Sequence, residues 1–442
     1  MLSIGERTVR LAISKGAGEA EAFLSWGAGT SVDIEGGRIS YPSQGSASGI
    51  SIRLLCKKRA GFAYCTHEDM LGNAIEMALE ISRIGKESAF HFPPKARYRR
   101  PRGTFDEKIT ALTPDEAIRF SHEMISSARS VSPGIKVSGG GVDFGRSESA
   151  IVNSNGVEIW DRGTMISAGA SVNLKGRTVS TGFDQSSSRV MKMDFGGIGE
   201  RAARMAVDSR NPVSTETARR AVIFSPEAVA ALLGSVTVPS LYGEVVGRGQ
   251  SVYTGKLGQQ VTSPGIGFSD DGLFPDGLGT SASDDEGVPS QRTVLIEKGV
   301  LRAFLYDVHS AVKMGAETTG SAGRSSYRVP PETGSRNFIV EGRLLDRCKL
   351  ISDVKEGLLV HEVLGAHTAS SVSGDFSVSA PLLFRIKDGE LGKPLKPVML
   401  SGNIPELLKN VTGLGSDRKQ NPGYGGAIVT GSIRAENVMV TG

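Results

Sequence analysis

A chain of 442 residues, 39% apolar and 22% charged, is long enough for two or three domains and has the balance of a globular protein. Its net charge of +4, from 51 basic and 47 acidic side chains, is too small to argue by itself for nucleic acid or an anionic membrane. No run of 18 apolar residues occurs and the N-terminus shows no apolar signal segment, so neither a transmembrane helix nor a signal peptide is expected.

The 57 glycines are roughly double the usual share and follow no fixed period, as in a β-rich protein with many turns and bulges. Cys56, Cys65 and Cys348 form no CxxC pair, which fits a reduced, cytoplasmic chain.

Taken in order, residues 5–18 read as an amphipathic helix. Residues 30–65 alternate, with Gly36-Gly37 turning the chain, and predict a β hairpin. Residues 68–86 return to helical spacing. Thr113-Pro114-Asp115-Glu116 is a helix start in which threonine caps and Glu116 reaches back. The intervening basic stretch, residues 93–102, reads as a solvated linker. Its single aromatic, Tyr98, among arginines is the minimal pattern for nucleic-acid contact, but no binding module surrounds it. Residues 149–184 are strands, with a two-residue hairpin at Asn155-Gly156. A helix follows at about 197–209 and Pro212 ends it.

Past a boundary near 212–222 the pattern changes. Ser225-Pro226-Glu227 opens a helix to about Gly234. Hairpins follow around Lys298-Gly299 and Asp388-Gly389. The fold class is α+β: an N-terminal mixed α/β domain (residues 1–215) and a β-rich, barrel-like C-terminal domain (residues 220–442).

Two clusters carry candidate chemistry. Asp270, Asp271, Asp276, Asp284, Asp285 and Glu286 lie close together among glycines. They read as a solvated connection, with a hard divalent cation as the sharper alternative. The second is His361-Glu362-Val363-Leu364-Gly365-Ala366-His367. A peptidase zinc site needs two imidazoles, a third ligand and a carboxylate base. Were this segment an ideal helix, six residues would leave the histidines about 120° apart. GSASG (45–49), Gly139-Gly140-Gly141 and GLGSD (413–417) read as turns, not as a nucleophile elbow or phosphate loops.

Three separated stretches, beginning FSDDGLFPDG, GLLVHEVLGAHTASSVSGDFS and MLSGNIPELLKN, resemble the TldD/TldE (PmbA) family in order and spacing, and GGRIS and GISIRLL suit its first domain. In that family the TldD-type subunit carries H-E-x-x-x-H and a late cysteine that hold zinc. The TldE/PmbA-type subunit lacks them and pairs with TldD. Here His361 and Glu362 match, but Ala366 stands where the second histidine belongs, His367 is one residue late, and NPGYGGAIVTGSI has no cysteine.

The resemblance therefore implies a TldE/PmbA-type subunit of a cytoplasmic metallopeptidase complex that processes unfolded or modified peptides. It implies no metal in this chain and zinc in a TldD-type partner, with a homodimer if the chain is isolated. No membrane or nucleic-acid partner is implied. Gly365, His367, Ser373, Gly374 and Asp375 are the candidates for peptide or partner contact. The alternatives are a chain active by itself, with Glu362 as base and His361, His367 and a residue such as Asp375 as ligands, and a non-proteolytic scaffold of the gyrase-modulator kind.

Overall fold

The computed structural model describes residues 1–85, 87, 89–176, 178–423 and 426–442. Lys86, the last residue of the predicted second helix, Arg177 within the 149–184 strand region, and Tyr424-Gly425 within the cysteine-free stretch lie outside these.

The first helix spans Leu2–Ser14 and not 5–18, because Gly16 takes a left-handed φ of 105° and the chain then extends into strand Glu19–Glu35. That strand is the hub of a seven-stranded sheet, ordered Arg59–Cys65, Ser43–Cys56, Glu19–Glu35, Ile135–Asn153, Glu158–Lys175, Val179–Ser188, with Arg38–Ile39 pairing off the hub. All its pairings are antiparallel. Even-numbered residues at the two ends of the hub face helices. Ala20, Ala22 and Leu24 share a core with helices Leu2–Ser14 and Leu71–Ile84. Val32 and Ile34 share another with helices Pro114–Val131 and Phe195–Asp208, whose Phe120 and Phe195 rings stack at 4.0 Å. The predicted capping box at Thr113 and Glu116 is present.

Four local expectations change. The hairpin at 154–156 has a three-residue loop, since Asn153 and Val157 still bond across it. Gly139-Gly140-Gly141 is not a turn but the middle of strand Ile135–Asn153, where a Cβ on Gly140 would stand 2.1 Å from the Gly169 carbonyl. GSASG and the start of GLGSD likewise lie in strands, Ser43–Cys56 and Val411–Gly415.

The C-terminal part contains a closed barrel. Strand Ala218–Phe224 pairs in parallel with Glu356–Leu364 and antiparallel with Ile433–Thr441. The ring continues through Val398–Asn403 and Asp375–Lys387 back to Glu356–Leu364. Closure removes the free edges that a long sheet would expose. The chain is thus α+β, with helices on an antiparallel sheet followed by a β-rich barrel. Beside the barrel lies a six-stranded sheet, built on Ile266–Asp271 and Asn337–Gly342. The helix opened by Ser225 does not stop at Gly234; it passes through a π turn, Leu233–Thr237, to Ser240. The two predicted hairpins form with Lys298-Gly299 and Asp388-Gly389 at their tips, all four residues left-handed.

The odd-numbered face of the hub meets the C-terminal part. Phe23, Ile151, Val157 and Ile159 pack on Ala282 and Tyr327. The basic stretch 93–102 is not a free solvated linker. Tyr98 donates its hydroxyl to the Gly287 carbonyl at 2.8 Å, and the Asn153 side chain donates to the Pro93 carbonyl at 2.8 Å. The tyrosine is an anchor between the two halves, so it is not available for base stacking. Among the described residues no helix is long and apolar enough to cross a membrane.

Candidate functional site

The His361-Glu362 segment is a strand, not a helix, because it is built into the barrel wall. Strand Glu356–Leu364 alternates sides: Leu358 and Val360 enter the main core, and Leu359 enters a second core with Ile223, Leu382 and Phe384. The register with Asp375–Lys387 slips between Val360 and Glu362 and again before Leu364, a bulged stretch that re-aims the side chains there. Gly365, left-handed at φ 87°, then bends the chain into a single 3₁₀ turn, Ala366–Thr368.

This geometry separates the letters of the motif. The His361 ring sits edge-on to Phe384, 5.7 Å between centroids, and lines a cavity of about 630 Å³. Its main-chain carbonyl accepts from the Ser225 hydroxyl at 2.8 Å. Burial, reinforced by the Arg347 guanidinium, pushes the imidazole down to about 4, so it is neutral at physiological pH. An NMR titration of the His361 ring should therefore show a midpoint well below 6; an ordinary midpoint would refute this placement. Burial raises the Glu362 carboxyl. His367 is exposed and lines a different cavity, of about 600 Å³, with Tyr242, Ser335 and Asn421. Ala366, between them, is buried and offers only a methyl group.

The other candidates lie further along. Asn403 clamps the loop before strand Asp375–Lys387, donating to the Ser373 carbonyl at 2.7 Å and to the Asp375 carboxylate at 3.0 Å. The Gly374 amide bonds to the Ser370 carbonyl at 2.7 Å. Hydrogen bonds from Asn403 and Ser373 hold the Asp375 carboxyl below its usual range. Asp375 is also far from His361. Leu382 stands opposite Glu362, and the extended chain from 375 to 382 spans on the order of 20 Å. Asp375 is thus no third ligand for His361. Among the described residues, no group of three or more His, Cys, Asp or Glu side chains is placed to hold a metal ion. The donor set does not fit the zinc centre that the motif's letters suggest.

The acidic run also differs from its reading as a solvated connection. Asp270, Asp284 and Glu286 are buried. Glu286 bonds Arg53 at 2.6 Å and accepts the Val308 amide at 2.7 Å. The Asp284 carboxylate accepts the amides of Glu286, Val288 and Ala322. Asp276 pairs with Lys192 at 2.9 Å. Each carboxylate has a separate protein partner, so they do not converge on a cation.

Sequence reasoning missed the polar lining of the His361 cavity. Lys419 bonds Asp184 at 2.9 Å and Glu227 at 2.6 Å, while Arg201 holds the other Asp184 oxygen at 2.7 Å. These residues come from four distant segments, so no local motif could announce them.

The fold and this site define a barrel-bearing chain that keeps part of a metallopeptidase signature without its ligand geometry. Family models described as PmbA/TldA metallopeptidase domain 1, central domain and C-terminal domain match residues 20–82, 107–210 and 217–442. The chain belongs to the PmbA/TldD family. It is 30% identical to an uncharacterized protein of Methanocaldococcus jannaschii, over 91% of this chain and 93% of that one. It is 28% identical to a protein named metalloprotease from Methanothermobacter thermautotrophicus, over 93% of each. The crystal structure of TldE from Thermococcus kodakarensis superposes with a TM-score of 0.93 at 26% identity, covering 99% of this chain and all of that one.

Proposed function

We propose that this chain is a TldE/PmbA-type subunit that holds no catalytic metal and pairs in the cytoplasm with a zinc-bearing TldD-type partner to process unfolded or modified peptides. One observation carries the reading: in the 3₁₀ turn just past the barrel strand, buried Ala366 stands where the second ligand belongs, and His361 and His367 open into separate cavities. The likeness to TldE supports it. In this reading residues 1–215 and 220–442 act as two domains. Gly365, His367 and the clamped loop at Ser373, Gly374 and Asp375 face the partner or the peptide. An isolated chain pairs with itself.

The test is metal analysis of the purified chain, with peptidase assays of the chain alone and mixed with a TldD-type partner. The expected result is no stoichiometric zinc and no activity alone, with chelator-sensitive activity in the mixture. Glu362→Gln in this chain should leave the mixture's activity within about twofold, whereas loss of a true general base costs about 10²-fold or more. Stoichiometric zinc and chelator-sensitive cleavage by the isolated chain would overturn the proposal.

A further inference from the structure

The cavity beside His361 has a composition that the subunit role does not use. Phe183, Met205, Leu359, Phe384 and Leu391 give it apolar walls. Most of its charged groups are already satisfied. Lys419 and Arg201 share Asp184 and are completed by Glu227 and Asp194. Arg204 pairs with Glu200, and the Asp417 carboxylate accepts the Ser432 amide at 2.8 Å and hydroxyl at 2.6 Å. Besides the exposed Asp208 carboxylate, two groups remain open, and both can donate. Among the described residues, neither the Arg347 guanidinium nor the His361 ring has a hydrogen bond or ion pair, and both line this cavity.

We propose that this cavity binds an apolar carboxylate: a terminal carboxylate attached to a hydrophobic side chain, as in a free amino acid or the C-terminus of a short peptide. The guanidinium supplies a fork of donors matched to the two carboxylate oxygens. The neutral imidazole supplies one further donor without an added charge. The aromatic and aliphatic walls take the side chain. A volume of about 630 Å³ suits a ligand of one to a few residues. Exposed Asp208, at the end of helix Phe195–Asp208, also lines the cavity and disfavours a second negative charge on the ligand. The site lies wholly within this chain and does not depend on the partner reading above, so each can fail alone.

The experiment is calorimetric titration of the full chain with N-acetyl-leucine, N-acetyl-leucinamide, and an N-acetylated tripeptide ending in leucine as free acid or amide. The acids should bind at least about tenfold more tightly than the amides, the factor expected of a charge-assisted hydrogen bond. Arg347→Ala should remove that advantage, and Arg347→Lys should restore part of it. Arg347 is exposed, so these variants should fold; Leu391→Asp, which sets a negative charge on the half-exposed rim of the cavity, should weaken binding of the acids independently. Equal binding of N-acetyl-leucine and the tripeptide acid would assign the cavity to a single amino acid. Binding of the tripeptide acid alone would assign it to a peptide C-terminus. Equal affinity for acid and amide, no saturable binding by either acid, or an unchanged Arg347→Ala variant would overturn the proposal.

Discussion

Arg53→Ala will lower the free energy of unfolding by about 3–5 kcal/mol, the range for removing one member of a buried ion pair. Arg53 stands between two carboxylates, Glu21 at 2.9 Å and Glu286 at 2.6 Å, and all three side chains are almost fully buried. Its guanidinium also lies 4.9 Å from the centroid of the Phe92 ring. Glu21 retains Arg324 when Arg53 is removed. Glu286 retains the Val308 amide but loses Arg53, its one direct ion-pair partner among the described residues, and becomes a buried charge with only the more distant Arg324 to offset it. The cost is therefore mainly that of the abandoned carboxylate and not of the lost contact. Chemical unfolding of the single variants and of Arg53→Ala/Glu286→Ala checks this. The double variant should be less destabilised than the sum of the single ones, because it removes the orphan. A single-variant cost below about 1 kcal/mol, or strict additivity, would show that the charge is solvated or re-paired. The network also joins the first sheet to the segment around 284–286, so the same variant tests what holds the two halves together.

Where a feature is decided within a few residues, it was legible. The box at Thr113 and Glu116 and the Lys298-Gly299 and Asp388-Gly389 hairpins are local chemistry, and the structure forms each. The α+β class followed from the change of period along the chain. Barrel closure depends instead on Ala218–Phe224 meeting Glu356–Leu364 and Ile433–Thr441, pairings that no short window contains. The same long-range pairing overrides the helix considered for His361 to His367. A zinc-helix spacing is not an instruction to form a helix when a barrel strand takes up the backbone bonds. The acidic run misled in a related way. Its density suggests solvent, yet the partners that bury it, Arg53 and the amides of Val308 and Ala322, lie elsewhere in sequence. The cavity lining shows the limit most clearly. Ser225-Pro226-Glu227 is readable as a helix start, but nothing local shows Glu227 reaching Lys419.

Asp270→Asn will make the protein more stable above neutral pH while leaving it little changed in acid. Asp270 lies on strand Ile266–Asp271, fully enclosed, with one oxygen accepting from the Ser335 hydroxyl at 2.6 Å and the Arg336 amide at 2.9 Å. Those bonds and the Arg336 charge favour the carboxylate. Burial opposes them and wins, raising the group to about 6 from its ordinary 3.8. The folded state thus holds its proton more tightly than the unfolded chain. The neutral acid's contribution to stability is complete below about pH 4, the unfolded value, and is lost as pH rises through 6. A displacement of roughly two units corresponds to about 2–3 kcal/mol. Asparagine keeps an oxygen for Ser335 and Arg336 but has no proton to lose. At pH 8 the variant should exceed the wild type by about that amount, and near pH 4 the two should converge. Asp284, pushed up to about 7 by burial and by Glu286, adds a slope of the same sign to both proteins. The informative quantity is therefore the difference between the two stability curves. Parallel curves from pH 4 to 8 would mean that Asp270 is ionised throughout and that its two donors outweigh its burial.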